Sequence, residues 1–382
     1  MSAPNSILIT TIATLLSSAS SAFDHQKLDK IDQAIETAIN ETLTPGAVFW
    51  LEKRGQTYAN VYGHMSLEPE KMPGRIDAIY DSASLTKVVA TTPAVMLLVE
   101  QEAIEIDAMV STYLDNFDNK GKEVITIRHL MTHTSGLKPG IPLTIEMNGV
   151  SKGWIGYEMA IALAKAEEVQ HPPGTGFIYS DINFILLGEI IQQVTGQRLE
   201  DFTRESVFRP LGMKDTGYLP SQNLRYRTAP TKWLDGKMQR GTPNNPICRR
   251  TGGVHGHAGI FTTAADLARY CRMILNNGEL DGVRFLQPKT VRLMTSVQSP
   301  EEVEHLRGLG WDIDSSYSSQ RGEIFPVGGF GHTGFTGPSI WIDPSSETFV
   351  IFMSNRIHPN GKGNVVPLRK RLGTLAAEAV GY

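Results

Sequence analysis

The chain has 382 residues, with 36 Lys or Arg against 40 Asp or Glu, and its formal net charge is −4. Hydrophobic residues make up 41% and charged residues 20%, a composition typical of globular proteins with an ample core. The lack of a basic excess argues against nucleic acid as a partner, and beyond the N-terminus no apolar run is long enough to predict a transmembrane helix. Cys248 and Cys271 are too few for a disulfide scaffold, and they form one bridge or none.

The first 22 residues predict a signal peptide. An apolar or threonine-containing stretch over 7–16 leads to small residues, with Ser20 and Ala22 at positions that suit signal peptidase. The expected protein is therefore exported, periplasmic or secreted, with residues 23–382 forming a single domain. The segment lacks the usual Lys or Arg before its apolar stretch, so an uncleaved apolar N-terminus is the alternative.

Hydrophobic periodicity predicts the elements in chain order. Apolar residues at 28, 31, 35 and 39 indicate a first helix. A β-hairpin follows, with strands over 47–51 and 57–62 around Arg54-Gly55. Helical spacing then recurs over 88–104, 155–168, 182–195 and 264–277. Near the end, 339–343 and 348–352 predict two more strands, and 366–380 predicts a final helix.

The predicted strands therefore lie at both ends of the chain and most helices lie between them. This order favours an α/β fold in which one antiparallel sheet is built from both termini and flanked by helices. The intervening helices, at about 90–310, form an inserted all-helical lobe. We expect an active site where the sheet and this lobe meet.

Ser84 and Lys87 are the strongest local candidates for catalysis. They are three residues apart at the start of a predicted helix that runs through Val99, so both side chains share one face. A serine hydroxyl needs a neighbour to take its proton, and a lysine among apolar residues has its pKa lowered towards that task. A second Ser-x-x-Lys at Ser135 and Lys138 lies in a predicted loop, where the spacing defines no common face.

Two further stretches carry candidate chemistry. Tyr179 precedes the predicted helix that starts at Ile182, where a tyrosine serves either as a proton shuttle or as a turn anchor. The glycine-rich stretch 331–337 lies just before a predicted strand. Its glycines either let a ligand approach the backbone or form a plain turn.

These motifs occur in the order Ser-x-x-Lys, Tyr-x-Asp and His-Thr-Gly. The ordered set resembles the serine β-lactamase and penicillin-binding-protein superfamily. It is most similar to the class C β-lactamase-like branch, which also contains esterases and D-amino-acid peptidases. Stretches 127–137, 210–215 and 256–267 add to the resemblance, which runs from about residue 25 to the end.

The resemblance implies a mechanism and a fold. Ser84 is the nucleophile that becomes acylated, while Lys87 and Tyr179 share the acid and base work. The backbone N–H groups of Ser84 and Phe335 form the oxyanion hole, and Asp181, His332, Thr333 and Gly334 bind substrate beside it. The implied fold has a five-stranded antiparallel sheet and an all-helical lobe, in agreement with the periodicity.

Two positions depart from the β-lactamase pattern. Position 181 is Asp where β-lactamases carry Asn, and position 332 is His where they carry Lys. An unperturbed histidine is mostly neutral at pH 7 and protonates near pH 6. The extra carboxylate is expected to repel anionic substrates. Both changes favour neutral substrates such as esters over penicillins.

Other motifs predict less. The Gly-x-Gly-x-x-Gly match at 329–334 is followed by a strand instead of the helix that a dinucleotide site needs. His129 and His133 have helical zinc spacing but lack the intervening glutamate of zinc proteases. His255 and His257 lie in a glycine-rich loop that, by the resemblance, borders the cleft, so we expect a packing or hydrogen-bonding role for His257.

The sequence thus predicts an exported serine hydrolase that acts through an acyl-enzyme on a small-molecule or peptide substrate, with no metal and no organic cofactor. Carboxylesterase or D-amino-acid peptidase activity comes first and class C-like β-lactam hydrolysis second. The alternatives from other classes are a non-catalytic penicillin- or peptide-binding protein and a metallohydrolase. The sequence leaves the oligomeric state open.

Overall fold

The computed structural model describes residues 22–147 and 150–382, so the predicted signal peptide lies outside the described residues except for Ala22. The helices are α1 His25–Asn40, α2 Thr92–Glu100, α3 Ile127–Thr132, α4 Tyr157–Ala166, α5 Asp181–Thr195, α6 Leu199–Thr203, α7 Pro246–Arg250, α8 Ala264–Leu275, α9 Pro288–Thr295 and α10 Val366–Ala379. The strands are β1 Gly46–Lys53, β2 Gln56–Ser66, β3 Met72–Pro73, β4 Tyr80–Asp81, β5 Thr144–Met147, β6 Val150–Gly153, β7 Gly217–Tyr218, β8 Trp233–Leu234, β9 Lys237–Met238, β10 Ile260–Thr262, β11 Glu279–Leu280, β12 Val283–Arg284, β13 Leu306–Arg307, β14 Asp312–Asp314, β15 Phe330–Thr333, β16 Ser339–Asp343 and β17 Thr348–Ser354.

The main sheet joins the two ends of the chain. Its order is β13-β14-β15-β16-β17-β1-β2-β3, and β1 pairs antiparallel with β17, with Trp50 opposite Ile351. This confirms the predicted sheet built from both termini. The sheet has eight strands in place of the implied five, because short strands of two or three residues extend both edges.

The two faces of the sheet pack against different layers. Alternate residues of a strand point to opposite faces, so neighbouring side chains enter different cores. Val48, Ile340 and Ile351 pack with the inserted helices. Phe49, Trp341 and Phe352 pack with the terminal helices α1 and α10. The helices predicted at both ends of the chain are therefore confirmed as one covering layer of the sheet.

The inserted region is mainly helical and also contains short strands. A three-stranded sheet, β4-β10-β7, joins the segment before Ser84 to two distant parts of the chain. The hairpins β5-β6, β8-β9 and β11-β12 decorate the region. In the described ranges, no helix is long and apolar enough to cross a membrane. Cys248 and Cys271 are both free and buried, which settles the open question of a bridge.

The helix predicted to start at Ser84 is present, and it contains a π-helical stretch. Ser84 lies in a turn, the helical backbone begins at Leu85, Lys87–Thr91 is π-helical, and α2 continues the same helix from Thr92. Pro93 lies in the first turn of α2. Proline has no N–H to donate and crowds the carbonyl four residues earlier, so a regular α-helix cannot run unbroken through this point. Single π-helical turns of this kind often occur at functional sites.

Candidate active site

Ser84 lies on a sharp turn, directly before the helix that begins at Leu85. Ala83, just before it, has a left-handed backbone with φ of +45°, which is uncommon for a residue other than glycine. Lys87 N–H donates to the carbonyl of Ser84 at 3.1 Å, and this tight turn brings the Lys87 Nζ to 3.2 Å from the Ser84 Oγ. The two side chains thus meet, as their spacing predicted.

Lys87 is fully buried and surrounded by acceptors. Its Nζ contacts the Ser84 Oγ at 3.2 Å, the Asp181 Oδ1 at 2.7 Å and the His257 carbonyl at 3.2 Å, which accounts for all three ammonium hydrogens. Burial pulls the pKa of Lys87 down, but the Asp181 carboxylate and the Tyr179 hydroxyl outweigh it and raise the pKa above its ordinary value. The expectation of a lowered lysine pKa is therefore wrong, because Lys87 has a carboxylate partner.

Asp181 is the first residue of α5 and faces the same pocket as Ser84. Burial alone would raise the pKa of Asp181, but the Lys87 ammonium outweighs it and holds the pKa below its usual range. The helix N-terminus also favours a carboxylate here. The sequence led us to expect that Asp181 presents a free negative charge to substrates. The structure shows that it does not. Its charge is matched by Lys87.

Tyr179 lies at the corner between a loop and α5, as predicted. Its ring centroid is 5.0 Å from the Lys87 Nζ. His133 supports the other side of the ring, with ring centroids 4.5 Å apart. The His133 Nδ1 accepts a hydrogen bond from the Ser180 N–H at 3.1 Å, and this bond fixes the backbone corner next to Tyr179. His133 is thus a support of the site and not a zinc ligand with His129, whose ring instead caps the start of α3.

Two backbone N–H groups are available to a ligand beside Ser84. In the described part of the chain, neither Ser84 N–H nor Phe335 N–H donates to a protein acceptor. The loop that contains Phe335 lies close to the Ser84 segment, since a Cβ on Gly334 would come within 2.5 Å of the Ser82 carbonyl oxygen. Glycine at 334 is therefore required by this close approach and not by a turn alone. Such a pair of donors can hold an oxyanion.

Arg369 of α10 fixes the loop that carries Phe335. Its buried guanidinium donates to the carbonyls of Gly334 at 2.7 Å, Pro338 at 3.0 Å and Gly337 at 3.2 Å. Burial lowers the pKa of Arg369 to about 9. The terminal helix thereby contributes to the site, and Arg369 itself lines the cavity. No motif in the sequence indicated this role.

His332 lines the pocket as a buried, neutral residue. Its Nδ1 lies 2.9 Å from the Thr333 carbonyl, and its ring centroid is 6.0 Å from that of Tyr179. Burial, together with the positive charges of Arg307 and Lys87, holds the pKa of His332 well below its ordinary value. The expectation that His332 becomes charged near pH 6 is therefore wrong.

These groups line one cavity of about 470 Å³. Ser84, Tyr179, Asp181, Thr333, Gly334 and Phe335 all contribute to its wall, with His332 among them. Arg307 and Asp312, which the sequence did not single out, lie in the same wall and form a fully buried ion pair at 3.1 Å. They belong to the short edge strands β13 and β14, which are too short to leave a periodic signal.

The other motifs have separate places in the fold. Ser135 is buried in a loop and donates to the Asn183 Oδ1 at 2.7 Å, which ties the loop to α5. His255 and His257 are buried side by side, with ring centroids 5.2 Å apart, and neither ring lines the cavity. Within residues 22–147 and 150–382, no group of three or more His, Cys, Asp or Glu side chains is placed to hold a metal ion.

Known proteins resemble this chain over nearly its whole length. The family model described as Beta-lactamase matches residues 31–374. A protein of Salmonella paratyphi B named "Putative D-alanyl-D-alanine carboxypeptidase" is 28% identical over 94% of this chain and 90% of its own length.

Solved structures share the fold. EstCE1, a hydrolase with promiscuous acyltransferase activity, superposes with a TM-score of 0.72 at 21% identity, over 92% of this chain and 99% of its own. A family VIII carboxylesterase gives 0.70 at 20% identity, over 92% and 97%. The family model covers most of the chain, so this protein belongs to the β-lactamase family and is a serine hydrolase of that family.

Proposed function

We propose that this protein hydrolyses uncharged esters through an acyl-enzyme on Ser84. The observation that carries the proposal is that Ser84 and Tyr179 line one cavity while the buried Lys87 contacts both of them. Two backbone N–H groups that have no acceptor among the described residues lie beside Ser84. A nucleophile, a proton carrier and an oxyanion site within reach of one carbonyl are the parts that acyl transfer needs. Intact catalytic side chains also favour an enzyme over a non-catalytic binding protein.

Acylation follows from these positions. Tyr179, reacting as its phenolate beside the Lys87 ammonium, takes the proton of the Ser84 hydroxyl. The Oγ bonds to the substrate carbonyl carbon at the same time, and the carbonyl electron pair moves to the carbonyl oxygen. The N–H groups of Ser84 and Phe335 hold the negative oxygen of the tetrahedral intermediate. Tyr179 then returns the proton to the leaving alcohol as the carbon–oxygen bond breaks. The Lys87 ammonium, held charged by Asp181, stabilises the negative charge that moves between the Ser84 and Tyr179 oxygens.

Deacylation uses the same groups in reverse. Water gives a proton to Tyr179 as its oxygen attacks the acyl carbon. The bond to the Ser84 Oγ breaks, the Oγ regains the proton, and the carboxylic acid leaves. No metal or organic cofactor is needed at any step.

The charge balance of the pocket wall supports uncharged substrates. Lys87 is matched by Asp181, Arg307 is matched by Asp312, and His332 is neutral. Arg369 directs its guanidinium to three backbone carbonyls, and Arg356 directs its own to the carbonyls of Phe335 and Gly363. A substrate carboxylate therefore gains little from these groups and loses its hydration on entering. A neutral ester has no such cost.

A second candidate is D-amino-acid peptidase activity. The relative in Salmonella carries the name of a D-alanyl-D-alanine carboxypeptidase over nearly the whole chain. Arg356 is partly exposed in the cavity wall and is the group best placed to meet a substrate carboxylate, although it already stacks on Phe335 at 4.4 Å. Class C-like β-lactam hydrolysis comes third, because it too favours an anionic substrate.

We also propose that the protein is exported and that residues 23–382 act as one domain. Export is supported by the composition of residues 1–22. A single domain is supported by the sheet, in which strands from both ends of the chain pair directly.

A substrate panel tests the proposed activity. Short-chain neutral esters, a D-Ala-D-Ala peptide and a chromogenic cephalosporin are compared by kcat/KM for the wild type, Ser84→Ala and Ser135→Ala. We expect the neutral esters to be the best substrates, with loss of several orders of magnitude in Ser84→Ala and near-normal rates in Ser135→Ala. A cephalosporin or D-peptide that exceeds every ester would overturn the substrate class. Full activity of Ser84→Ala would overturn the nucleophile.

A further inference from the structure

Asp81 is a buried carboxylate three residues before Ser84, and it joins separate walls of the active site. Its side chain is buried, and each carboxylate oxygen accepts from a different backbone segment. The Oδ1 accepts the Ala83 N–H at 2.9 Å, and the Oδ2 accepts the Asn244 N–H at 2.7 Å. Ala83 precedes the nucleophile, and Asn244 and Asn245 form another part of the cavity wall.

The Asp81 backbone also contacts the loop that carries Phe335, here called the oxyanion loop. Its carbonyl accepts the Thr336 hydroxyl at 2.7 Å, next to the Phe335 N–H proposed for the oxyanion hole. Asp81 itself is anchored in β4, where it lies opposite Phe261 of β10. One residue therefore connects the nucleophile turn, the Asn244 wall and the oxyanion loop to a fixed strand.

The hydrogen bond that the Ala83 N–H donates to Asp81 stabilises the left-handed backbone of Ala83. A left-handed conformation costs a non-glycine residue energy, and it persists only where surrounding contacts hold it. The Oδ1 of Asp81 holds the N–H of the residue that adopts it, directly before Ser84. Loss of this bond would let the turn relax, and the Ser84 hydroxyl would move with it.

Few charges face the Asp81 carboxylate. Arg249 of α7 is the cation near it, but its guanidinium donates to the carbonyls of Pro243 and Asn244 instead. Cys248, also on α7, is the other titratable neighbour, and burial raises its pKa well above the ordinary value. Burial raises the pKa of Asp81 to about 6, while its two backbone hydrogen bonds oppose the rise.

We propose that Asp81 is a positioning residue whose carboxylate holds the Ser84 turn and the Asn244 wall in the geometry that catalysis requires. A protonated carboxyl has one oxygen that donates, so it cannot serve two N–H donors equally. Acid therefore weakens the tie between the two walls. The proposal rests on Ser84 as the nucleophile proposed above.

The test measures how fast a fluorophosphonate labels the enzyme between pH 5 and pH 8. For the wild type we expect the labelling rate to fall about tenfold from pH 7 to pH 5, as the carboxylate titrates. Asp81→Asn is expected to label about 10–100-fold more slowly at pH 7, because a small misplacement of the nucleophile is costly, and to lack the acid limb near pH 6. KM for a neutral ester should change less than kcat.

Asp266→Asn is the matched control. Asp266 is also a buried aspartate that accepts a backbone N–H, from Asp215 at 2.8 Å, and burial raises its pKa too, but it lies outside the cavity. This variant should keep the wild-type rate and acid limb. Circular dichroism and Tm establish that each variant folds.

Two results would overturn the role of Asp81. One is an acid limb that remains near pH 6 in folded Asp81→Asn. The other is a wild-type labelling rate that stays flat from pH 5 to 7, which needs no variant at all. Failure of the nucleophile assignment is seen separately, as labelling that survives in Ser84→Ala.

Discussion

Two buried charges flank the Ser84 turn at equal distance along the chain, and their surroundings differ. Lys87, three residues after Ser84, has a carboxylate at 2.7 Å. Asp81, three residues before it, has backbone N–H partners, and no cation among the described residues is in hydrogen-bond contact with it. Burial opposes the charged form of both groups, but only Lys87 has a counter-charge that outweighs it. We therefore expect Lys87 to stay charged across the working pH range and Asp81 to titrate within it.

The largest effect is expected on substitution of Tyr179, the proton carrier beside Lys87. Tyr179→Phe removes one hydroxyl and keeps the ring that packs against His133. We expect kcat for a neutral ester to fall about 10²–10⁴-fold, the usual contribution of general acid–base catalysis. Tm should change little. An unchanged kcat would show that Tyr179 only anchors the turn.

The titration of Asp81 is tested by the pH dependence of the free energy of unfolding. A raised carboxyl pKa means that the folded state resists ionisation, so this group's stabilisation is complete below pH 4 and is lost as the pH rises towards 6. Relative to the wild type, Asp81→Asn should therefore gain about 3 kcal/mol in unfolding free energy between pH 4 and pH 7, from a shift of about two pKa units. Urea unfolding at both pH values measures the difference. A constant difference would place the pKa of Asp81 at its ordinary value.

Asp181→Asn removes the counter-charge that distinguishes Lys87 from Asp81. Lys87 would then be an unmatched cation buried directly behind Ser84 and position 181 of the pocket wall, where it attracts a substrate carboxylate. We expect kcat/KM for an ester that bears a carboxylate to rise about 5–30-fold relative to its neutral isostere, which corresponds to about 1–2 kcal/mol. Asp107→Asn, which breaks a surface pair with Arg128 outside the cavity, should leave the ratio unchanged. An unchanged ratio in Asp181→Asn would mean that the pair does not determine substrate charge.

The smallest effect concerns His332. Its pKa lies well below the ordinary value, so it stays neutral as the pH falls from 8 to 6. The preference of the wild type between the same two esters should therefore not shift in this range. A gain for the anionic ester that disappears in His332→Gln would show that the histidine does protonate there.

Local patterns in the sequence predicted the main elements of the fold, whereas contacts between distant segments left no signal. The sheet and terminal helices follow from alternation and helical spacing, because residues such as Val48 and Phe49 enter opposite cores. Ser84, Lys87 and Tyr179 were found from local motifs and a resemblance. The contact of Lys87 with Asp181 and that of Asp81 with Asn244 could not be found in this way, because the partners are 94 and 163 residues apart in the chain. A single sequence contains no signal for such contacts.

The unusual backbone conformation around Ser84 could not be predicted from the sequence either. The left-handed backbone of Ala83 and the π-helical stretch that precedes Pro93 leave no periodic signal in the sequence. Periodicity predicted the helix after Ser84 correctly, but it could not show that Lys87–Thr91 adopts π-helical geometry. The edge strands with Arg307 and Asp312 were missed because two or three residues cannot display a period.

The most direct test of the proposed mechanism is to trap the acyl group and locate it. The wild type is mixed with a slowly hydrolysed neutral ester, quenched in acid within one turnover, and analysed by intact mass and peptide mapping. We predict one acyl adduct per chain, on the peptide that contains Ser84, and no adduct in Ser84→Ala. An adduct on Ser135 or elsewhere, or full turnover by Ser84→Ala, would contradict the central claim.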